Sequence, residues 1–325
     1  MDIVDAHHHF FDPSKNSFSA FLHSLGVPPY LPGDYYDTDA AGINILKSVH
    51  VEAIPDDGLA EAAWVEHLIA AGRAPSVCAI VAACDLSRPD ADAHLQALAA
   101  TCPHLRGIRH ILDYDGVFDG GKTNATHVAV SRHNIDYLRD ASGVHRAAFE
   151  RGFALLAKHN LSFDLQCCPA QLSAAAALCA RHPSTRVVID HLGKVRHLQA
   201  DGSESDRAKL KAWQEGLELM AALPNVYVKI SMLGFAVPGW WESPAKEEQL
   251  RRLVLQVIDL FSPQRCMFAS NWHVNGAASN SDGVDATGPR NIAEMYASFS
   301  KWVAHYSESD RKCLFVHTAS KFYNI

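Results

Sequence analysis

The sequence predicts one α/β domain, residues 1–325, folded as a (β/α)8 barrel of the TIM type with elaborated loops at its C-terminal face. Eight short apolar or β-branched segments alternate with longer Ala- and Leu-rich segments, and this alternation indicates βαβ units around a parallel sheet. Eight such units within 325 residues fit a closed barrel. An open doubly wound sheet would carry a Gly-rich phosphate loop after its first strand, where this chain has HHHFFDP.

The predicted strands are segments rich in Val, Ile and other apolar residues. They span 2–7, 45–53, 76–83, 105–112, 161–167, 186–191, 225–232 and 265–270. The predicted helices have apolar residues at helical spacing, and several have recognisable ends, such as Gly72 after the first and Pro103 after the second. They span 59–72, 90–102, 144–160, 171–182, 206–223, 247–261, 291–306 and 307–323.

Five long segments lack clear periodicity, and each follows a predicted strand. They are 10–44, 113–143, 192–205, 233–246 and 271–290. In a barrel, the loops after the strands lie at the C-terminal face, where active sites are built. We therefore interpret these segments as loops around one mouth rather than as domain boundaries.

The overall charge and the apolar pattern exclude several classes of protein. The net charge of −7 argues against nucleic acid and anionic membrane as partners, and no apolar run of 18 residues predicts a membrane span. The N-terminus lacks the basic and apolar regions of a signal peptide. The eight cysteines form no C-x-x-C pair, which favours reduced thiols in a cytoplasmic protein. A small molecule is the expected partner, and the oligomeric state is left open.

The segment DAHHH at 5–9 is the strongest candidate site in the sequence. Alternate side chains of a strand share a face, so His7 and His9 lie together, with Asp5 on the same face. Two imidazoles at this spacing can bind one metal ion or one substrate. Their place at the end of the first strand favours a functional role over a structural one.

Two further segments place polar residues at strand ends. His191, at the end of the sixth strand, can meet His7 and His9 if it faces the barrel interior. At the end of the eighth strand, alternation puts Asn271 and His273 on one face and Trp272 on the other. An Asn can orient a substrate or weakly ligate a metal, but it cannot act as a general base. Trp272 is a candidate for substrate binding.

Other strand ends carry weaker candidates. Glu52 is a candidate base, ligand or buried hydrogen-bond partner, and Gln166 is a candidate substrate contact. Arg109 suits a substrate carboxylate, and Lys229 suits a Schiff base or an oxyanion, although a buried ion pair is an equally good interpretation of each. Asp190 alternates with His191 and is expected to face the helices, so we give it no catalytic role.

Together these motifs resemble the amidohydrolase superfamily, in particular its amidohydrolase-2 branch, which includes lactonases of sugar acids and dicarboxylic acids. The resemblance runs nearly from end to end. It rests on the order and spacing of DAHHHFFDP, VHVEA, LRGIRHIL, LSFDLQCCPAQL, VVIDHLGK, NVYVKISML, RCMFASNWHV and ASKFYNI. It implies a distorted TIM barrel that hydrolyses a C–O or C–N bond in a cyclic ester or amide.

The resemblance also implies roles for individual residues. His7 and His9 match the first-strand pair and His191 the sixth-strand histidine, and these three are the expected ligands of a divalent metal ion, with zinc as the first choice. Asn271 departs from the family, because most members have Asp there. The Asp binds metal or takes a proton from water, so metal occupancy is left open here. Glu52 and His273 are then the candidates for the missing base.

The sequence therefore predicts a hydrolase that opens a small cyclic ester by attack of water on its carbonyl carbon. Arg109, Gln166, Lys229 and Trp272 are its candidate substrate contacts. One alternative is a metal-dependent decarboxylase of the same branch, against which the missing Asp counts. Another is a ligand-binding barrel without catalysis, which Asn271 alone suggests.

Overall fold

The protein is described by a computed structural model covering residues 1–24, 26–114, 135–199, 203–272 and 291–325. Eight parallel strands pair in the order of the chain, each with the next, so the predicted barrel is confirmed. The strands are β1 Asp2–His8, β2 Asn44–Val51, β3 Val77–Ala83, β4 Leu105–Arg109, β5 Ser162–Leu165, β6 Val187–Ile189, β7 Val226–Ile230 and β8 Cys266–Phe268.

The barrel closes between β1 and the residues just after β8. The His9 amide donates to the Trp272 carbonyl over 2.5 Å, and the Asn271 amide donates to the His7 carbonyl over 2.7 Å. These bonds lie at the carboxyl end of β1. They hold the histidine segment of the first strand directly beside the segment that follows the eighth.

Helices surround the sheet and largely follow the predicted pattern. They are α1 Ala20–Ser24, α2 Gly58–Ala70, α3 Ala91–Thr101, α4 Val144–Lys158, α5 Leu172–Arg181, α6 Glu204–Ala221, α7 Leu233–Ala236, α8 Pro244–Phe261, α9 Ile292–Trp302, α10 Glu308–Lys312 and α11 Thr318–Tyr323. The last predicted helix, 307–323, is helical from Glu308 to Tyr323, but its middle part, Cys313–His317, is π-helical and divides it into α10 and α11. The short helices α1 and α7 lie in segments predicted as loops.

The floor of the barrel is apolar and is filled from the C-terminus of the chain. Small and β-branched side chains of the strands point inward and pack against Phe322 and Tyr323 of α11. The inner residues from the strands are Val4, Ala6, Val49, Val51, Ala79, Val81, Val188, Met267 and Ala269. This packing leaves only the opposite, carboxyl end of the barrel for polar side chains.

Several strands end earlier than predicted, and the residues beyond them turn sharply. Ile54, His191, Met232 and Asn271, which follow β2, β6, β7 and β8, have positive φ angles between 52° and 57°. Non-glycine residues adopt this conformation at a cost, so the surrounding structure must hold them there. Strand alternation therefore stops predicting side-chain direction at the barrel mouth, where the candidate site lies.

Other features agree with the composition of the chain. The eight cysteines, all within the described residues, form no disulfide bond. Of the helices that the structure describes, none has the length and apolar character needed to cross a membrane.

Candidate active site

The structure brings the three predicted histidines together at the mouth. The ring of His7 lies 4.9 Å from the ring of His9 and 4.9 Å from that of His191, measured between centroids. His7 is fully buried, and the other two are almost so. The register of β1 against β2 is irregular between Asp5 and His8, which turns His7 inward directly after the inward Ala6.

Asp5 does not share the face of His7, contrary to the prediction from alternation. Its carboxylate accepts hydrogen bonds from Tyr35, from Ser270 and, at 3.4 Å, from Tyr296. These partners lie between the strands and the outer elements, and the β1 irregularity explains the change of face. Asp5 therefore joins β1 to the end of β8 and does not reach the histidine cluster.

His9 has both ring nitrogens engaged. Its Nδ1 lies 2.8 Å from the Val51 carbonyl, which can only accept, so Nδ1 carries the proton. Its Nε2 lies 3.2 Å from Oδ1 of Asn271, whose Nδ2 is buried without a hydrogen-bond partner among the described residues. Turning the amide over makes Nδ2 the donor to Nε2 and satisfies both groups. Val51 and Asn271 together fix the orientation of the His9 ring.

Asp190 corrects the prediction that it faces the helices. It is fully buried inside the mouth, with Oδ1 3.5 Å from Nδ1 of His7 and 3.3 Å from Nζ of Lys229. Its Oδ2 lies 3.7 Å from Arg109. Val188 points inward, so Asp190, two residues on, follows the alternation of β6. It is His191, beyond the strand end, that reaches the site by a left-handed turn.

That turn comprises four residues, His191–Lys194, all with positive φ. Three contacts anchor it. Nδ1 of His191 lies 3.0 Å from the Ser231 hydroxyl, the Trp213 indole donates to the Leu192 carbonyl, and the Lys194 ammonium pairs with Asp113. Strain held by several partners in this way is typical of functional sites. The anchors fix the direction in which the His191 ring faces His7.

Lys229 lies inside the barrel in an ion pair with Asp164. Its Nζ also lies 3.2 Å from Nδ1 of His7, and the Tyr323 hydroxyl donates to Asp164 over 2.9 Å. Lys229 is 0% exposed, and its ammonium is engaged by Asp164. Of the two interpretations of Lys229, the structure shows the ion pair.

Arg109 and Glu52 form a second buried pair. Nε of Arg109 donates to Oε1 of Glu52 over 2.5 Å, and the Ile54 amide donates to Oε2 over 2.7 Å. Arg109 also lies 3.4 Å from Nε2 of His7 and 3.3 Å from Oε1 of Gln166. Both oxygens of Glu52 are engaged, so it positions Arg109 rather than standing ready to accept a proton.

The electrostatics of the site favour the neutral forms of His7 and His191. Burial, followed by the charge of Lys229, holds the pKa of His7 well below its usual range. Burial does the same to the pKa of His191, against the opposing effect of Asp190. Burial alone would raise the pKa of Asp190, but Lys229, His191 and Arg109 together lower it. The mouth thus contains neutral imidazoles beside an ionised carboxylate.

A polar cleft of about 430 Å³ opens beside this cluster at the carboxyl ends of β2, β3 and β4. Glu52 and Arg109 line it on the side of the histidines, and Asp85 and His110 line it farther out. Arg109 therefore contacts His7 on one side and the cleft on the other. His7, His9 and His191 do not themselves line the cleft, so Arg109 and Glu52 separate it from the histidine cluster.

One predicted site residue lies away from the mouth, and another falls outside the described residues. Trp272 is 1% exposed and belongs to the hydrophobic core between barrel and helices, so its side chain is not placed to contact a substrate in the mouth. Alternation had already put it on the face opposite Asn271. His273 lies outside the described residues.

The donors at the mouth fit one divalent cation. Ligand atoms of His7, Asp190 and His191 all lie within 4.8 Å of one another, and all three residues are buried. Neutral imidazoles and an ionised carboxylate are the ligand types that zinc prefers. Neither oxygen of Asp190 has a hydrogen-bond partner within the described chain, although Lys229 stands near. This group of donors includes Asp190, which the sequence did not predict as a ligand, and does not include His9.

A second pair of buried histidines lies on the outer side of the strands. Nε2 of His8 lies 3.0 Å from the Ser48 hydroxyl, and Nδ1 of His50 accepts from the Phe10 amide over 3.3 Å. Burial holds the pKa of both rings well below the usual range. They serve packing rather than the site, and they make the fold sensitive to acid.

We expect the variant His50→Gln to reduce the loss of stability that acid causes. Below a pH of about 6.5 the unfolded chain protonates His50 while the folded chain does not, so stability is lost as the pH falls, by up to about 1.4 kcal/mol per pH unit. Gln keeps an acceptor for the Phe10 amide but does not titrate. Urea unfolding at pH 7.5, 6.5 and 5.5 measures the difference. The exposed His67→Gln is the control, and an unchanged slope in His50→Gln contradicts the prediction.

We expect Glu52→Gln to destabilise the protein by about 3–5 kcal/mol, because it leaves the buried guanidinium of Arg109 short of a counter-charge. The free energy of unfolding in urea measures this. The exposed pair of Arg88 and Asp90 supplies the control Asp90→Asn, whose effect should be small. Wild-type stability combined with complete loss of activity would instead favour Glu52 as the base.

A family model described as amidohydrolase matches residues 4–325, so the chain belongs to the amidohydrolase family. It is 28% identical over 340 residues to the uncharacterized protein y4mH of Sinorhizobium fredii, with 99% of this chain and 98% of that protein covered. It is 31% identical over 196 residues to an L-fucono-1,5-lactonase of Burkholderia multivorans, with 59% of this chain and 61% of that enzyme covered.

The fold is also similar to solved structures. An amidohydrolase from Burkholderia multivorans with bound HEPES superposes with a TM-score of 0.73 at 25% identity, with 100% of both chains covered. An amidohydrolase from the same organism, solved with bound zinc, gives a TM-score of 0.72 at 23% identity, again with 100% of both chains covered. The second likeness shows the fold alone.

Proposed function

We propose that this protein is a lactonase-type hydrolase that opens a small cyclic ester, a lactone of a sugar acid or of a dicarboxylic acid. The observation that carries the proposal is the convergence of His7, His191 and Asp190 at the barrel mouth, beside a polar cleft that Arg109 borders. The 31% identity to an L-fucono-1,5-lactonase supports the lactone as the substrate class.

In the proposed reaction, water adds to the ester carbonyl carbon, its proton passes to a base, and the ring C–O bond breaks. The ring oxygen then takes a proton and leaves as a hydroxyl group. Oδ1 of Asp190 lies 3.5 Å from Nδ1 of His7, and we assign to Asp190 the proton of the attacking water. Neutral His7 and His191 orient the water through their ring nitrogens.

Arg109 is placed to support the charge that develops on the carbonyl oxygen. Its guanidinium is held by Glu52 and Gln166 and borders the cleft, so it needs little rearrangement during the reaction. A divalent ion at His7, Asp190 and His191 would, when bound, supply a Lewis acid that polarises the carbonyl. Zinc is the metal that we propose for this position.

The test is hydrolysis of a panel of aldonolactones and dicarboxylate lactones, followed with a pH indicator, with and without chelator. We expect turnover of at least one lactone by the wild-type protein. Loss of that turnover with chelator would mean that a metal ion is required, with His7, His191 and Asp190 as its ligands. Turnover that survives would assign the polarising role to the protein's own cations. No turnover on any lactone would contradict the proposal and favour the decarboxylase.

A binding barrel without catalysis is the second candidate, and Asn271 is the observation that favours it. Against this candidate, the amide of Asn271 contacts His9 and positions its ring, and an inactive site would not need to keep such a contact. We expect Asn271→Asp to lower kcat/KM on the best lactone, because a buried negative charge beside Nε2 of His9 would favour the protonated form of that ring. A gain of activity from an inactive wild type would support the binding barrel instead.

A further inference from the structure

The ammonium group of Lys229 lies beside the candidate metal ligands. Its ammonium lies 3.2 Å from Nδ1 of His7 and 3.3 Å from Oδ1 of Asp190. His7 and Asp190 are two of the three residues whose donor atoms could hold a metal ion. The chain therefore supplies its own positive charge where a divalent ion would bind.

The ammonium has little room to move away. It pairs with Asp164, which accepts a hydrogen bond of 2.9 Å from the Tyr323 hydroxyl. Tyr323 is part of α11 and is packed in the barrel floor. The Lys229 side chain is 0% exposed, so water cannot screen its charge. A zinc ion binds its ligand atoms at about 2.0–2.2 Å, which would bring it within a few ångströms of the ammonium. Two positive charges at that separation repel strongly inside a protein.

We propose that Lys229 competes with a divalent metal ion for Asp190 and His7, and that the Lys229–Asp164 pair sets how tightly the site binds metal. The lysine lowers metal affinity because it neutralises Asp190 and repels a second cation. Asp164 raises metal affinity because it draws the ammonium away from Asp190. Lys229 and Asp164 thus have opposite effects on metal affinity, although neither residue coordinates the metal ion.

Because Lys229 and Asp164 should act in opposite directions, metal binding alone tests the proposal. The measurement needs no substrate and does not depend on the lactonase assignment. Zinc affinity is measured by competition with a chromophoric chelator on protein first stripped of metal. We expect Lys229→Met to bind zinc about tenfold more tightly than wild type, or more, because it removes the competing charge at nearly constant volume. We expect Asp164→Asn to bind zinc more weakly than wild type.

Lys194 supplies a matched control for the loss of a buried ammonium. It is also buried at the mouth, but it pairs with Asp113 rather than with the donor residues. Because Lys194 also anchors the turn that holds His191, we expect Lys194→Met to bind zinc no more tightly than wild type. An equal effect of the two lysine variants, no change in Lys229→Met, or a shift of Lys229→Met and Asp164→Asn in the same direction would overturn the proposal.

Removal of one charge from a buried pair can prevent folding. The double variant Lys229→Met with Asp164→Asn removes both charges and keeps the interior balanced. We expect it to bind zinc more tightly than wild type, because Lys229 contacts the donor atoms directly whereas Asp164 acts through Lys229. An affinity equal to or weaker than that of wild type in this folded variant overturns the proposal.

Discussion

Substitution of His191 by alanine is expected to lower kcat/KM on the best lactone by about 10²–10⁴-fold while leaving the protein folded. The ring faces His7 at 4.9 Å between centroids, and its Nδ1 is held by the Ser231 hydroxyl. Alanine removes the ring without leaving a buried charge, because burial keeps the pKa of His191 well below its usual range. Steady-state kinetics and thermal unfolding on the same preparation separate activity from stability.

Ser231→Ala tests whether the orientation of His191 matters as well as its presence. It removes the hydroxyl that fixes Nδ1 but keeps the ring, so the expected loss of kcat/KM is smaller than for His191→Ala. A matched control is His50→Gln, a buried histidine on the outer side of the strands, which should keep the wild-type rate. Unchanged turnover in folded His191→Ala would remove His191 from the mechanism.

Much of the fold could be predicted from the sequence because the strands and helices of this barrel have different periods. Inward Val and Ala residues alternate with outward Phe and Ile, and the helices carry apolar faces with recognisable caps. The turn at Cys313–His317 could not be predicted, because a π-helical turn inside a helix leaves its apolar pattern almost intact. The helices α1 and α7 are too short to show a period.

The candidate site was predictable where residues lie within regular strands and unpredictable just beyond them. Lys229 and Asp164 face inward by plain alternation, so the pairing of two opposite charges inside the barrel could have been inferred from β5 and β7. Asp190 was misassigned because both it and the following His191 face the mouth. Two consecutive residues can face the mouth only because the chain makes a left-handed turn at His191. In the sequence, Gly193 is the one residue of LGK that indicates such a turn.

Asp190→Asn is the second substitution for which a large effect is expected, a fall in kcat/KM of about 10²–10⁴-fold. Asparagine keeps the shape of the side chain but cannot take a proton from water. Lys229 keeps Asp164 as its partner and Arg109 keeps Glu52, so neither cation is left without a counter-charge. The expected loss therefore arises from chemistry rather than from unfolding.

The pH dependence distinguishes a base from a structural carboxylate. Lys229, His191 and Arg109 hold the pKa of Asp190 below its ordinary value of 3.8 despite burial, so Asp190 should stay ionised throughout the range in which the protein is folded. We expect wild-type kcat/KM to remain level from neutral pH down to the acid unfolding of the protein, and Asp190→Asn to lie far below it at every pH. The control is Glu61→Gln, a buried carboxyl group outside the histidine cluster whose pKa burial raises well above the ordinary range. If Asp190→Asn retains wild-type activity, the proton of the attacking water must go elsewhere, and Asp190 is left as the partner of Lys229 alone.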